Sequence, residues 1–298
     1  MKLRRKTIIT ASSFAFTVLV VLIAFLARPP VLIVTDLSFA ALYGENRIKL
    51  ETAHSSLVLF RRVIPVAVAD DAGDDIIDLA VAGASKNPFC AIFPLRFAQN
   101  ARNYREKNPG IPVVLLEGRY PEEANPASFA IGSSTDDYFI YKTEISADFY
   151  RAGLAAAILD AEKNERLAVL LEPNVQTQGR EAFLKALNDA GSSLQTSFFT
   201  AYSQFTGNQN ISCVVLAGIG ADYLDKYFDI PVIFFTWIDP ELIPLDVVLV
   251  FNDSPWVQAV PAVRMVAAGM TKGQIPSKIL FTSGKGIGKD TARKLRKI

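Results

Sequence analysis

LAVLLEPNVQTQGREAFLKAL, residues 167–187, reads as a strand followed by a helix. Arg166 to Leu171 is almost wholly apolar and of strand length, the pattern of a strand buried on both faces. Thr177 to Ala190 has the pattern of a helix, and Gly191 behind it is a normal C-terminal cap. One such unit says little. Its repetition in both directions sets the fold class.

Upstream stand a strand at Asp137–Lys142 and an alanine-rich helix at Ala147–Lys163. Downstream come strands near Gln195–Phe199, Cys213–Leu216, Val232–Phe235 and Val247–Phe251, with a helix at Ala221–Tyr227. The first half of the chain shows the same alternation. Strands at Val31–Thr35, Val63–Ala69, Phe89–Phe93 and Pro112–Glu117 are separated by helices at Glu45–Ser56, Asp74–Ala84 and Arg96–Lys107. Strands alternating with helices of about ten residues imply βαβ units and mostly parallel sheets. The expectation is an α/β chain of two lobes. Lobe 1 takes 31–143 plus about 247–281, and lobe 2 takes 144–246. Ser254-Pro255 supplies an N-cap and a first-turn proline for a returning helix that ends before Gly269. The segment 284–298 reads as a flexible basic tail.

The amino terminus decides location. Thr7 to Ala27 runs 21 residues without a charge, behind Lys2, Arg4, Arg5 and Lys6. A helix of that length rises about 30 Å, enough to cross a bilayer core, and the basic flank belongs on the cytoplasmic side. Residues 1–28 are thus expected to form a cytoplasmic stub and a single-pass inner-membrane anchor, with the remainder extracytoplasmic. A cleaved signal, giving a periplasmic or secreted protein, is the alternative. Phe25 at the −3 position before Ala27 is large for such a site, and no cysteine follows for a lipid anchor.

Net charge is +1, which gives no case for nucleic-acid binding. Cys90 and Cys213 sit inside apolar runs and read as buried free thiols. With His54 the only histidine, no His/Cys metal site is proposed, and no cofactor is expected. Ser283-Gly-Lys-Gly-Ile-Gly-Lys-Asp-Thr falls one residue short of a P-loop and has Asp290 at the magnesium position. Asp70-Asp71-Ala-Gly-Asp74-Asp75 lacks the twelfth-position glutamate of a calcium loop. No catalytic set emerges, and the chain is read as a non-enzyme.

Three segments carry a family resemblance. Asp148-Phe-Tyr-Arg-Ala-Gly153-Leu-Ala-Ala-Ala resembles the D-x(4)-G-x-x-A helix of type 1 periplasmic binding proteins. Residues 167–187 resemble the opening of their second lobe, and Asn252-Asp253-Ser254-Pro255-Trp256 the return to the first. The glycine usual early in that returning helix is replaced by Val260 and Pro261. The resemblance implies a two-lobed fold, capture of a small molecule by lobe closure, and delivery to an ABC permease. A ligand-sensing ectodomain with a signalling partner and a surface-attached α/β enzyme are the alternatives. Gly153 inside a helix costs about 1 kcal/mol against alanine, offset if a helix approaches the sheet closely there.

Ligand contacts are expected at the carboxyl ends of strands, in the crevice between lobes. The candidates are Asp36, Phe39, Tyr43, Glu117, Arg119, Asn174, Trp237, Asp239, Asn252, Asp253 and Trp256. Carboxylates and amides accept and donate to hydroxyls, while aromatic rings stack on sugar or base faces, so the set suits a sugar- or nucleoside-like ligand. Asp36 and Asp239 read equally as caps, Phe39 and Tyr43 as core, and Arg119 as a partner for Glu117.

Overall fold

The computed structural model describes residues 2–118, 138–161, 166–170, 176–199, 211–217, 230–243, 246–282 and 287–298, excepting the side chains of 2–14, 166–170, 176 and 240. Two six-stranded sheets form its frame. The first contains β1 (Val31–Asp36), β2 (Val63–Val68), β3 (Cys90–Pro94), β4 (Val113–Glu117), β5 (Phe139–Thr143) and β11 (Lys272–Ile275). Their order is β2-β1-β3-β4-β5-β11, and every pair is parallel. The second contains β6 (Arg166–Leu170), β7 (Gln195–Phe199), β8 (Ile211–Leu216), β9 (Val232–Phe235), β10 (Val247–Asn252) and β12 (Lys278–Phe281). Its order is β7-β6-β8-β9-β10-β12, parallel except for the last, antiparallel pair.

Continuous apolar strands need cover on both faces, and helices supply it on each face of the first sheet and on one of the second. On one face of the first sheet, α2 (Leu37–Tyr43), α3 (Glu45–Leu59) and α8 (Pro255–Ala267) close a core around Val31, Ile33, Cys90, Tyr141 and Trp256. On the other, α4 (Asp74–Ala84) and α5 (Ala98–Lys107) pack over Leu32, Val34, Phe93 and Leu115. In the second lobe, α6 (Ile145–Asp160), α7 (Gln176–Asp189) and α9 (Lys289–Leu295) cover Cys213, Val215, Ile233 and Phe251.

Three differences from the sequence reading stand out. Val247–Asn252 and Lys278–Phe281, expected in lobe 1, are strands of the second sheet. Only α8 and β11 return to the first. The segment expected as a flexible tail contains α9, whose Leu295 is buried, with Ile287 and Ile298 packed against the same core. Its basic residues hid an apolar stripe that needs a partner. Gly153 is explained by a helix, not the sheet. A Cβ there would stand 2.7 Å from Ala186 Cβ and 2.7 Å from the Phe183 carbonyl oxygen on α7. The helix expected at Ala221–Tyr227 lies outside the described residues.

At the amino terminus α1 spans Lys2–Ala27. Its 13 residues from 15 to 27 are described with side chains. Among the described residues no helix is long and apolar enough to cross a membrane. The transmembrane span expected over Thr7–Ala27 therefore gains no support from the structure.

Cys90 lies on β3 and Cys213 on β8, in different sheets, and both are free and fully buried. Burial pushes the Cys90 thiol up to about 12 and raises Cys213 well above its ordinary value. The native state thus holds these protons more tightly than the unfolded chain. Their contribution to stability is full below pH 9.0, the ordinary thiol value, and for Cys90 is lost as pH rises towards about 12. At pH 8 neither thiol is expected to react with an aromatic disulfide reagent until denaturant is added. Rapid labelling of native protein, read by absorbance, would contradict the placement.

Candidate functional site

The chain crosses between lobes three times: after β5, after β10, and between β11 and β12. Side chains tie these crossings together. Thr143, ending β5, donates through Oγ1 to Asp253 Oδ2 at 3.2 Å, and Gln258 Nε2 on α8 donates to Thr143 Oγ1 at 3.1 Å. Asp148, fully buried on α6, accepts from the Ser277 backbone N–H at 2.9 Å and from its hydroxyl. Arg151 Nη2 pairs with Asp148 at 2.5 Å and donates to the Ser277 carbonyl at 3.2 Å. The Glu144 N–H completes the link to the third crossing by donating to the Ile275 carbonyl at 3.0 Å. The aspartate of the D-x(4)-G-x-x-A segment is therefore a pin for the third crossing.

Parallel strands of both sheets point their carboxyl ends into one cleft, which holds about 100 Å³ of water-accessible space. A single water needs roughly 10–15 Å³ by this measure, so the cleft has room for several waters or a small ligand. The first lobe contributes Phe39, Pro94, Leu95, Arg96, Leu116 and Gly118. The second lobe contributes Phe235, Thr236 and Trp237, and the crossing Asp253, Ser254, Pro255 and Gln258.

Each charged wall is braced from behind. Arg96, in the turn after β3, forms an ion pair with Asp36. Asp36 is itself fixed as the N-cap of α2, accepting from the Phe39 N–H at 2.5 Å. Beside it the Ser38 N–H and hydroxyl bind Asp70 at 3.0 and 2.6 Å, and those bonds hold the Asp70 carboxyl below its usual range. Asp253 is braced by the Thr143–Gln258 relay. A guanidinium and a carboxylate, each oriented by neighbouring side chains, thus face one small space. A charged group held this way makes strong, directional hydrogen bonds to hydroxyls.

The aromatic wall joins the lobes. Phe39 lies 4.6 Å from Trp237, centroid to centroid, and stacks on Tyr43 at 5.2 Å. The Arg47 guanidinium covers the Tyr43 ring at 4.4 Å and donates to the Ile238 carbonyl at 3.2 Å. The Asp239 N–H donates to the Leu42 carbonyl at 2.8 Å. Gly44, at φ +91°, leaves the room that Asp239 occupies; a Cβ there would collide with its carboxylate. One flank of the cleft is closed by these contacts.

Of the expected site residues, Phe39, Trp237 and Asp253 line the cleft. Asp36 reaches it only through Arg96, and its capping alternative is what the structure shows. Glu117 pairs with Lys142 at 2.6 Å across neighbouring strands and does not line the cleft. Asp239 forms an interlobe contact and accepts from the Glu241 N–H at 3.0 Å in the following turn. Tyr43, Asn252 and Trp256 are fully buried behind the wall. Trp256 belongs to the first-lobe core, because the first turn of α8 faces the sheet. Asn252 Oδ1 accepts from the Ser254 N–H at 2.9 Å, which shapes the crossing. Burial raises the Tyr43 hydroxyl pKa, against the lowering influence of Arg47, Ser254 and Asn252. Tyr43 Oη, Asn252 Nδ2 and Ser254 Oγ nonetheless make no hydrogen bond of good geometry among the described residues. Arg119 and Asn174 lie outside the described residues.

Arg96 and Gln258 were missed by the sequence reading. Arg96 was taken as the start of a helix, although Pro94-Leu95 directly after a strand end marks a turn before it. Among the described residues no group of three or more His, Cys, Asp or Glu side chains is arranged to hold a metal ion.

No protein-family description matches the chain, and no curated protein matches it in sequence. Solved structures do match in shape. One is a periplasmic solute-binding protein of an ABC transporter from Actinobacillus succinogenes with bound D-allose, at TM-score 0.50 and 14% identity, covering 90% of this chain and 100% of that one. A transcriptional activator of the comK gene from Bacillus halodurans matches at TM-score 0.55 and 11% identity, covering 90% and 95%. A mutant XylFII–LytSN complex matches at TM-score 0.53 and 17% identity, covering 86% and 98%. The chain therefore has the two-lobed α/β fold of the type 1 periplasmic binding proteins.

Proposed function

We propose that the chain is an extracytoplasmic, membrane-anchored binding protein that captures a small polyhydroxylated ligand, sugar- or nucleoside-like, and passes it to an ABC permease without a covalent step. The observation that carries this reading is the cleft. Arg96 and Asp253, braced on separate elements, face an aromatic pair drawn from both lobes, Phe39 and Trp237. Hydroxyls suit the charged groups, and an apolar sugar or base face suits the rings. Ligand contacts from both lobes favour the closed state over the open one. The solute-binding protein with D-allose, which shares the fold, supports this class of ligand. The uncharged run Thr7–Ala27 behind a basic flank supports the anchor.

A panel of sugars, nucleosides and amino acids scored by thermal shift tests the proposal. A true ligand at 100 times its dissociation constant adds about 2.7 kcal/mol to stability. The same ligand is expected to change tryptophan emission through Trp237, since Trp256 is sealed in the core. Trp237→Phe should abolish that change while Trp256 emission persists. A panel with no thermal shift, or an emission change that survives Trp237→Phe, would count against the cleft. The sensing alternative predicts that the chain co-purifies with a signalling protein instead of a permease.

A further inference from the structure

The sequence Leu57-Val-Leu-Phe-Arg-Arg62 ends α3 at the amino-end face of the first sheet, opposite the cleft. Leu57 is 77% exposed and Val58 41%. Phe60, at φ 49°, caps α3 in the left-handed region, an uncommon conformation for a bulky residue. It is held from the side of α1. Phe25 meets its ring edge-on at 5.6 Å, and the Arg28 guanidinium lies 4.8 Å from the ring centre. Arg61 donates to the Pro29 carbonyl at 3.2 Å and covers the Phe89 ring at 4.1 Å. The end of α1 is thereby pinned to the end of α3, and two exposed apolar side chains flank the junction.

Charge completes the patch. Arg28, Arg62 and Lys86 are exposed, Lys86 in the loop leading to β3. Among the described residues no carboxylate pairs with Arg28, Arg61, Arg62 or Lys86. Burial, then the Arg28 charge, lowers Arg61 below its ordinary value, so the two guanidiniums oppose each other and an anion beside them is favoured.

We propose that this face, built from the ends of α1 and α3 and the β3 entry loop, docks on anionic phospholipid. The inference rests on the reading of α1 as a membrane anchor. Leucine and valine enter the headgroup–acyl boundary, while arginine and lysine hold phosphate. A lipid surface is the occupant that fits, because the apolar run Thr7–Ala27 leads directly into the junction and would bring a bilayer beside it. Docking would hold the first lobe on the bilayer as a ligand-capturing state, leave the second lobe free to close, and have to release before the cleft meets a permease.

The test uses the full chain in phosphatidylcholine vesicles with or without phosphatidylglycerol. An environment-sensitive fluorophore is placed at Leu57→Cys or, for reference, at Leu184→Cys on α7; both native thiols are buried. Flotation from alkaline carbonate reads the anchor, and quenching by brominated lipid reads docking. With phosphatidylglycerol, quenching at 57 should exceed that at 184 by about threefold, and salt at about 0.5 M should weaken it. Arg62→Glu with Lys86→Glu should remove most of the difference. Failure to float overturns the anchor and this inference together. Flotation with equal quenching at both positions overturns the docking alone. Quenching that ignores phosphatidylglycerol or survives the two glutamates overturns the charged contact. Disulfide-linked pairs through Leu57→Cys without quenching overturn it too, giving the face to a second copy of the chain.

Discussion

Asp148→Ala is expected to lower unfolding stability by about 3 kcal/mol, the lower end of the cost of breaking a buried ion pair. The fully buried carboxylate accepts from the Ser277 N–H, the Ser277 hydroxyl and Arg151. Its removal takes the Asp148 acceptor from the buried Ser277 N–H. Arg151 keeps the Ser277 carbonyl and some solvent contact, its side chain being 25% exposed, which moderates the loss. Asp148→Asn keeps an acceptor for one donor and should lose about half as much. Urea unfolding followed by circular dichroism measures both. A loss under about 1 kcal/mol for the alanine variant would show that the third crossing does not depend on this pin.

Asp253→Ala is expected to weaken ligand binding by about 1–3 kcal/mol, roughly 5- to 150-fold, and to cost folding about 1 kcal/mol. Its carboxylate faces the cleft and accepts from the Thr143 hydroxyl, a bond whose loss costs about 1 kcal/mol. Asp36→Ala should differ in kind. Asp36 caps α2 and holds Arg96, so about 1 kcal/mol of stability goes with it, and affinity falls only through a looser guanidinium. Titration and denaturation of the two variants separate these roles. Unchanged affinity in Asp253→Ala would remove the carboxylate from the site.

Part of the cleft lining was legible because strand ends are legible. Phe39, Trp237 and Asp253 each follow a buried apolar run, and a parallel sheet collects such positions at one edge. Asp36 and Asp239 could not be resolved from sequence, since an aspartate after a strand caps a helix or turn as readily as it meets a ligand. Trp256 was misread because its place after Pro255 does not tell which face of the helix meets the sheet. Arg96 was passed over because a strand end followed by a short turn resembles the start of a helix.

The alternation of apolar strands with helical segments, as in residues 167–187, was enough to specify two mostly parallel sheets. Burial on both faces of a strand leaves its mark in every residue of the run, so this information is local. The sharing of strands between lobes was not local. Val247–Asn252 has the same buried pattern in either sheet, and only pairing with β9 and β12 puts it in the second. The role of Asp148 was equally hidden, because its partner Ser277 lies 129 residues away and only the crossing of the chain brings them within a hydrogen bond. Local periodicity thus determined the elements. Contacts distant in sequence, whose energy depends on which surfaces meet, decided how the lobes join and which side chains face the cleft.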